Sequence, residues 1–523
     1  MTHNISPTLL TQLSEFIAAQ IGWHYPPERW PDLQRGVDAA CGEFGFEDAE
    51  ACARWLLSAP LSRSQIETLA SYLTVGETYF LREKKSFAVL EEHIVPALIG
   101  ARRENEANNG RRLRIWSAGC CTGEEPYSIA ILLDRVLPDL KDWQITILAT
   151  DINPRFLEKA TAGVFGEWSF RDAPPWLKAQ YFRQTKEGRF EILPRIKKMV
   201  TFTYLNLVED VYPSLLNNTN AMDVIWCRNV LMYLAPQQVK NIIDKFYRSL
   251  VEAGWLSVGP SESSHLLLSQ FVTVNFPGAT LYKKGGAGER EKEKRREEEK
   301  SRQRDGEERE LLSLQLPEIK FPPQVSRTNL LASDLSTPVM AEVASAQVAP
   351  PSSAEDLYQE AVVLYEQGRY AEAVKKLEDL LARQHENAPA YALLARAYAN
   401  QGQLAQALEY CQKALVADKL NAGYYYLRAT ILQEQGAVGE AIQSLKRALY
   451  LDHDFVLAHF ALGNLVRQQS KQSGAGVLPA SKHFANALQL LRNYRPTDVL
   501  PESEGITAGR LAAIITTMTE GQG

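Results

Sequence analysis

Ala361, Ala395 and Ala429 stand 34 residues apart, as do Gly368, Gly402 and Gly436, and Ala373, Ala407 and Ala441. A period of that length accommodates two helices and a turn: small residues let the paired helices approach closely, and glycine reverses the chain between them. Such units bury a core only by stacking on one another. The last third of the chain is therefore expected to be an elongated helical array whose groove suits a peptide or helix. Gly463 continues the series, and a helix from about 481 to 491, beyond an insertion at 474–479, completes a fourth or capping unit. The array is assigned to 354–495 and a C-terminal tail to 496–523, so catalytic chemistry must be sought upstream.

There, the stretch Arg112 to Leu133 stands out. Leu113 to Trp116 is an apolar run apart from Arg114, Ser117 to Gly123 are small or polar, and helical periodicity begins at Glu124. That order reads as strand, tight loop and helix, with Pro126 in the first helical turn, where its missing N–H breaks no hydrogen bond. Loops of this kind at the carboxyl ends of parallel strands are where open α/β sheets bind nucleotides. This one has neither the GxGxxG spacing of dinucleotide sites nor the GK[ST] of a phosphate loop. Glu124 and Glu125 would repel a phosphate and suit a cationic ligand, such as the amino group or sulfonium of S-adenosylmethionine. In isolation they read equally well as solvated glutamates favoured by the helix dipole. A second buried strand, QITILATD, ends in Asp151, an acid that can accept hydrogen bonds from two ribose hydroxyls. With Asn153 and Pro154 behind it, Asp151 also reads as a helix cap.

The rest of the chain supplies context. With 57 basic and 63 acidic residues the net charge is −6, which argues against a general nucleic-acid binder. Cys41, Cys52, Cys120, Cys121, Cys227 and Cys411 show no CxxC or Cys/His spacing, so no metal site and no disulfide framework is expected. A start without a basic, apolar leader and the lack of a bilayer-length apolar run predict a cytoplasmic protein with no membrane insertion. Residues 1–75 read as short helices broken at prolines; their arginines, Arg29, Arg35, Arg54 and Arg63, read as solvated faces or a docking surface for an acidic helix. TVGETYFLRE, 74–83, leads to a helix from Lys84 to about Leu98. If it folds over the loop at Gly119, it covers a nucleoside with a ring and brings Arg82 to a carboxylate. Residues 163–198 predict a small antiparallel β unit inserted in the αβ rhythm of 76–284, which closes with a second hairpin. Residues 285–353 read as a solvated charged helix followed by a Pro/Ser-rich flexible linker.

TVGETYFLRE, WSAGCCTGEEPYSIA, ATDIN, YLNL and CRNVLMYL occur in that order within about residues 8–284 and resemble the motif series of CheR, the chemotaxis-receptor protein-glutamate methyltransferases. With repeats of tetratricopeptide spacing appended, the chain is most similar to the Wsp-type branch, which acts on receptors in surface-sensing and biofilm signalling. The resemblance implies an α/β fold: a Rossmann-like S-adenosylmethionine-dependent methyltransferase domain with a small all-α N-terminal domain, an inserted antiparallel β subdomain and an α-helical repeat solenoid. It implies S-adenosylmethionine as methyl donor, no metal, and as partner the cytoplasmic helical domain of a methyl-accepting chemoreceptor. Carried over by motif, Thr78 and Arg82 meet the donor's methionine part, Glu124 its amino group and Asp151 its ribose. Asn206, Leu207, Asn229 and Val230 line the adenosine. Gly76 stands where many members have asparagine and offers only its backbone. Tyr233 is the catalytic candidate, placed to orient the incoming carboxylate. Where the family carries an arginine after the helix that starts at Lys84, this chain has Ala97 and Leu98, with Arg102 and Arg103 beyond. The short turn TKEGR resembles members that use no C-terminal receptor tether, leaving recruitment to the repeats and their peptide or protein ligand. Methylation of another acceptor, or a non-catalytic repeat scaffold, are the alternatives.

Overall fold

Apolar helical faces and two-residue alternation divide the chain between a sheet and an array, and the two meet. The computed structural model describes residues 5–104, 111–214, 217–264, 267–285, 354–384, 386–473, 478–503 and 505–520. The helix and spacer expected in the linker fall at 286–353, outside the described residues. Among the described residues no helix is long and apolar enough to cross a membrane.

The chain opens with α1 (Pro7–Gln20), α2 (Trp30–Cys41), α3 (Ala49–Leu56) and α4 (Arg63–Leu73). Ser6 and Asp48 cap α1 and α3 by accepting backbone N–H groups, and Ser62 with Gln65 forms a capping box on α4. Leu13, Ile17, Leu33, Val37, Ala53 and Leu69 are fully buried between these helices. Their core continues without a break into Trp116, Leu148, Ile225 and Phe246 on one face of the sheet, so the helical unit and the sheet share a single core.

Next come α5 (Lys84–Val89) and α6 (Val95–Glu104), joined by a π turn over Leu90–Ile94, so the helix runs past Leu98. The αβ segment comprises β1 (Arg112–Ala118), α7 (Glu124–Val136), β2 (Gln144–Asp151) and α8 (Pro154–Ala162). The inserted β unit is built of β3 (Val164–Phe165), α9 (Pro175–Tyr181), β4 (Phe182–Gln184) and β5 (Phe190–Ile192). Then come α10 (Pro194–Lys197), β6 (Val200–Tyr204), β7 (Met222–Cys227), α11 (Pro236–Ser249), β8 (Leu250–Val258), β9 (Val272–Phe276) and β10 (Ala279–Lys283). The main sheet has the order β6-β2-β1-β7-β8-β10-β9. Pairing is parallel from β6 to β8, and β10 and β9 close it antiparallel. Successive connections reverse direction between β1 and β7, and that switch point opens a crevice at the strands' carboxyl ends. The inserted unit is a second sheet in the order β3-β5-β4. Phe80 is wholly buried against Phe165, Phe170 and Phe182 of this unit. Burying one such ring contributes about 1.5–3 kcal/mol, which anchors the 74–83 segment beside the crevice.

The repeats form four antiparallel helix pairs: α12 (Ala354–Glu366) with α13 (Tyr370–Arg383), α14 (Ala388–Asn400) with α15 (Leu404–Ala417), α16 (Ala422–Glu434) with α17 (Val438–Leu451), and α18 (Val456–Ser473) with α19 (Leu478–Leu491). The residues read as a tail include a further helix, α20 (Ala508–Glu520), whose Leu511 and Ile515 are buried in the core of the last repeats.

The array rests on the α/β unit through its inter-helix turns. Gly368 lies against Arg248, Gly402 against Val251 and Ala221, and Gly436 against Gln144. A Cβ at Gly368 would stand 2.1 Å from the Arg248 side chain, so glycine serves the contact as well as the turn, whose φ is +71°. Deeper in, Glu434 pairs with Arg112 and Arg114 of β1, all three buried. At the far end, Arg510 of α20 meets Glu209 at 3.1 Å.

Candidate active site

The loop after β1 is held in a conformation few side chains adopt. Gly119 has φ +83° and Cys121 φ +49°. A Cβ on Gly119 would fall 2.4 Å from Val230, so the close approach of two loops demands glycine there. Gly119 and Cys120 donate their N–H groups to the Thr150 carbonyl at 2.8 and 2.9 Å, tying the loop to the end of β2. Asp151 accepts from Cys121 N–H at 2.8 Å and Asn153 N–H at 2.9 Å. The cap of α8 is Asn153, whose side chain accepts from Arg155 N–H at 2.9 Å. Asp151 is therefore free of capping duty, and its side chain lines the crevice.

Thr78, Arg82, Gly119, Asp151, Asn206, Leu207, Asn229, Val230 and Tyr233 line one cavity across the carboxyl ends of β1, β2, β6 and β7. Two of the expected residues do not. Gly76 is turned toward the Phe156 ring, which a Cβ would approach to 2.9 Å; Phe156 is itself in the wall. Glu124 is buried away from the cavity, accepting from Thr122 Oγ1 at 2.6 Å and Ser169 Oγ at 2.8 Å. The wall carboxyl is Glu125, which accepts from Ser117 Oγ at 2.6 Å. Sequence could not separate the two, because consecutive positions on a helix differ by a third of a turn and either can face in. Arg102 and Arg103 pair with Asp223 and Asp139 and do not line this cavity.

Burial sets the charge of the wall. It raises the Glu125 carboxyl to about 8, opposed by the Ser117 hydrogen bond and by Arg228 and Arg82. It raises Asp151 to about 6, opposed by the backbone donors of Asn153, Cys121 and Ile152. Cys120 and Cys121 are pushed above the ordinary thiol range by burial, and neighbouring carboxylates add to it, so neither is an activated nucleophile.

Sequence reading missed what shapes the opposite wall. Glu262, from the turn after β8, accepts from the backbone N–H of Asn229 at 2.9 Å, Val230 at 2.6 Å and Gly259 at 2.6 Å. This holds Asn229 at φ +58°. Arg228 is tied to Glu83 and to Ser257 Oγ. Trp23, Tyr25 and Arg29 of the first helical unit also line the cavity, because Trp23 bridges Leu234 and His24 N–H donates to the Tyr233 carbonyl at 2.8 Å. The cavity thus has acidic groups near the glycine loop, an arginine at the 74–83 segment, and an aromatic, basic flank from the N-terminal helices. That set fits a ligand carrying a diol, an ammonium and a carboxylate.

Residues 76–276 match the family described as CheR methyltransferase, SAM binding domain. Residues 364–431 and 422–455 match tetratricopeptide repeats. A probable chemotaxis protein methyltransferase of Rhizobium etli is 36% identical over 210 residues, covering 40% of this chain and 75% of that protein. Chemotaxis protein methyltransferase 2 of Vibrio cholerae is 34% identical over 231 residues, 44% of this chain and 77% of its own. Chemotaxis protein methyltransferase 1 of Pseudomonas aeruginosa is 33% identical over 222 residues, 42% and 77% of the two chains. With the glycine loop, the strand-end acid and the appended helix pairs in one molecule, the chain belongs to the CheR family of S-adenosylmethionine-binding methyltransferases and carries tetratricopeptide repeats behind the catalytic domain.

Proposed function

We propose that this chain esterifies glutamate side chains on the cytoplasmic helical domain of a chemoreceptor-like protein, and that the repeats recruit the receptor or a pathway partner. The observation that carries this reading is Tyr233 in the same cavity as Gly119 and Asp151, at the seam with the first helical unit. In this reading Asp151 holds the ribose, Thr78 and Arg82 the methionine carboxylate, and Glu125 the amino group. Asn206, Leu207, Asn229 and Val230 frame the adenosine, and Tyr233 orients the acceptor. S-adenosylmethionine supplies an electrophilic methyl group on a sulfonium. A glutamate is ionised at pH 7, so its oxygen bonds the methyl carbon as the carbon–sulfur bond breaks and leaves its electron pair on sulfur. No proton moves, and the protein's task reduces to alignment and exclusion of water. The appended repeats support placement in the Wsp-type branch.

Incubation with labelled donor and receptor cytoplasmic fragments is expected to yield base-labile methyl esters; label stable to mild base would point to another acceptor group. In cells, removing residues 354–523 is expected to lower receptor methylation, because a tethered acceptor is presented at high effective concentration. Unchanged methylation would remove recruitment from the repeats.

The raised carboxyls give binding a pH signature. A cationic amino group beside Glu125 favours its ionised form, so binding near neutral pH expels a proton. Affinity for the demethylated product, S-adenosylhomocysteine, is expected to rise from pH 6 and level off above about 8, the value to which Glu125 is raised. Without ligand the sign reverses. Both carboxyls hold protons more tightly in the folded than in the unfolded chain, where 4.5 and 3.8 are ordinary. Ligand-free stability should therefore fall as pH rises through this window. Titration calorimetry in buffers of different ionisation enthalpy reads the proton directly, and Glu125→Gln should flatten the upper part of the profile.

A further inference from the structure

We propose that Arg29 is the group that receives the acceptor's carboxylate, an assignment that rests on the glutamate reading above. Arg29 ends a single turn, Pro27–Arg29, before α2. That turn is positioned by pairing far along the chain: Ala235 N–H donates to the Gly22 carbonyl at 2.8 Å, beside the Trp23–Leu234 bridge. The result places the Arg29 guanidinium carbon 5.4 Å from the centre of the Tyr233 ring and 5.0 Å from that of Tyr25. Both rings line the cavity with it.

Three arginines line this cavity, and their commitments differ. Arg228 is paired with Glu83, and Arg82 donates to the Glu77 carbonyl at 2.6 Å. Arg29 has Asp32 no nearer than 3.8 Å, from Nε, and Asp32 is itself engaged by Arg35. Among the described residues, no acceptor lies within hydrogen-bond distance of its terminal nitrogens, and its side chain keeps 30% exposure. A half-open guanidinium braced on two aromatic faces, with its fork available, is built for bidentate capture of a carboxylate. The phenol of Tyr233 then meets the same group from the side.

The charge balance of the reaction says which kinetic constant depends on Arg29. Attraction between guanidinium and carboxylate is complete before reaction, weakens as the oxygen gains the methyl group, and is gone in the neutral ester. Arg29 therefore favours acceptor binding and product release, not the transfer step.

With the full-length protein and a receptor fragment, Arg29→Ala is expected to raise the acceptor KM by about tenfold to a hundredfold. Its kcat should not fall, and should rise by up to about threefold, because a contact that weakens on the way to the transition state holds back the transfer step. Arg29→Lys should restore part of the KM, and calorimetry should find S-adenosylhomocysteine binding unchanged in both variants. A KM unchanged in Arg29→Ala, or a loss confined to kcat, would overturn the assignment and leave the glutamate reading standing. A wild-type protein that binds S-adenosylhomocysteine but forms no base-labile ester would overturn both.

Discussion

Asp151→Ala should lose at least about a hundredfold in affinity for S-adenosylhomocysteine, because in the proposed site two charge-assisted hydrogen bonds to ribose hydroxyls contribute about 1.5–3 kcal/mol each. The geometry adds a second loss. Asp151 accepts the N–H of Cys121, a residue held at φ +49°, so removing the carboxylate also frees the loop that closes on the adenosine side. Asp151→Asn tests the two effects together. Its amide nitrogen would face the N–H of Cys121 or of Asn153, so one of the two backbone contacts is lost whichever way the amide turns. Both variants should unfold cooperatively without ligand, since β2 keeps its pairing with β1 and β6, and the wild-type increase in melting temperature on adding ligand should vanish. Affinity within about threefold of wild type for Asp151→Ala would exclude Asp151 from the ribose site.

What could be read from the chain, and what could not, divides by the distance over which each residue's environment is set. The glycine loop, the strand-end acid and the 34-residue repeat are local patterns, and the fold class came from them. Asp151 illustrates the limit: in the sequence it reads as a ribose ligand or as a helix cap, and the hydrogen bonds give the capping of α8 to Asn153. On charge alone Arg29 reads, with Arg35, Arg54 and Arg63, as a solvated face or a docking surface for an acidic helix. It enters the cavity because residues 22–24 pair with 233–235, a contact that no periodicity reports. Glu262 shapes the Asn229 turn from 33 residues away and sits in a stretch with no motif. β1 is the sharpest case. Arg112 and Arg114 are charged, yet every residue of β1 is buried. Their partner, Glu434, lies more than 300 residues later.

That partner sets the second large effect. Glu434 ends α16 with its carboxylate shared by the Arg112 and Arg114 guanidinium groups, and its carbonyl accepts from Gln144 Nε2 at 3.2 Å. Burial lowers Arg114 to about 10, with Arg112 acting in the same direction and Glu434 and Asp223 opposing. Two buried cations thus share the Glu434 carboxylate, and Arg114 has Asn218 as a further acceptor. Breaking such a cluster from one side costs about 3–5 kcal/mol, since the desolvated charges remain without compensation. The array is joined to the catalytic unit through a segment of 68 residues, 286–353, so the molecule has a less costly response available than keeping them buried. Glu434→Ala is therefore expected to release the array from β1 and β2 and return both arginines to water. Small-angle scattering should record a larger radius of gyration, and thermal unfolding should separate into two transitions. Binding of S-adenosylhomocysteine should be unchanged, because Arg112, Gln144 and Ala221 lie at the amino ends of the strands, opposite the cavity. Among the described residues, the docked repeats contribute no side chain to that cavity's wall. Scattering and unfolding curves identical to wild type would show that the inter-helix turns at Gly368, Gly402 and Gly436 hold the array without this ion cluster.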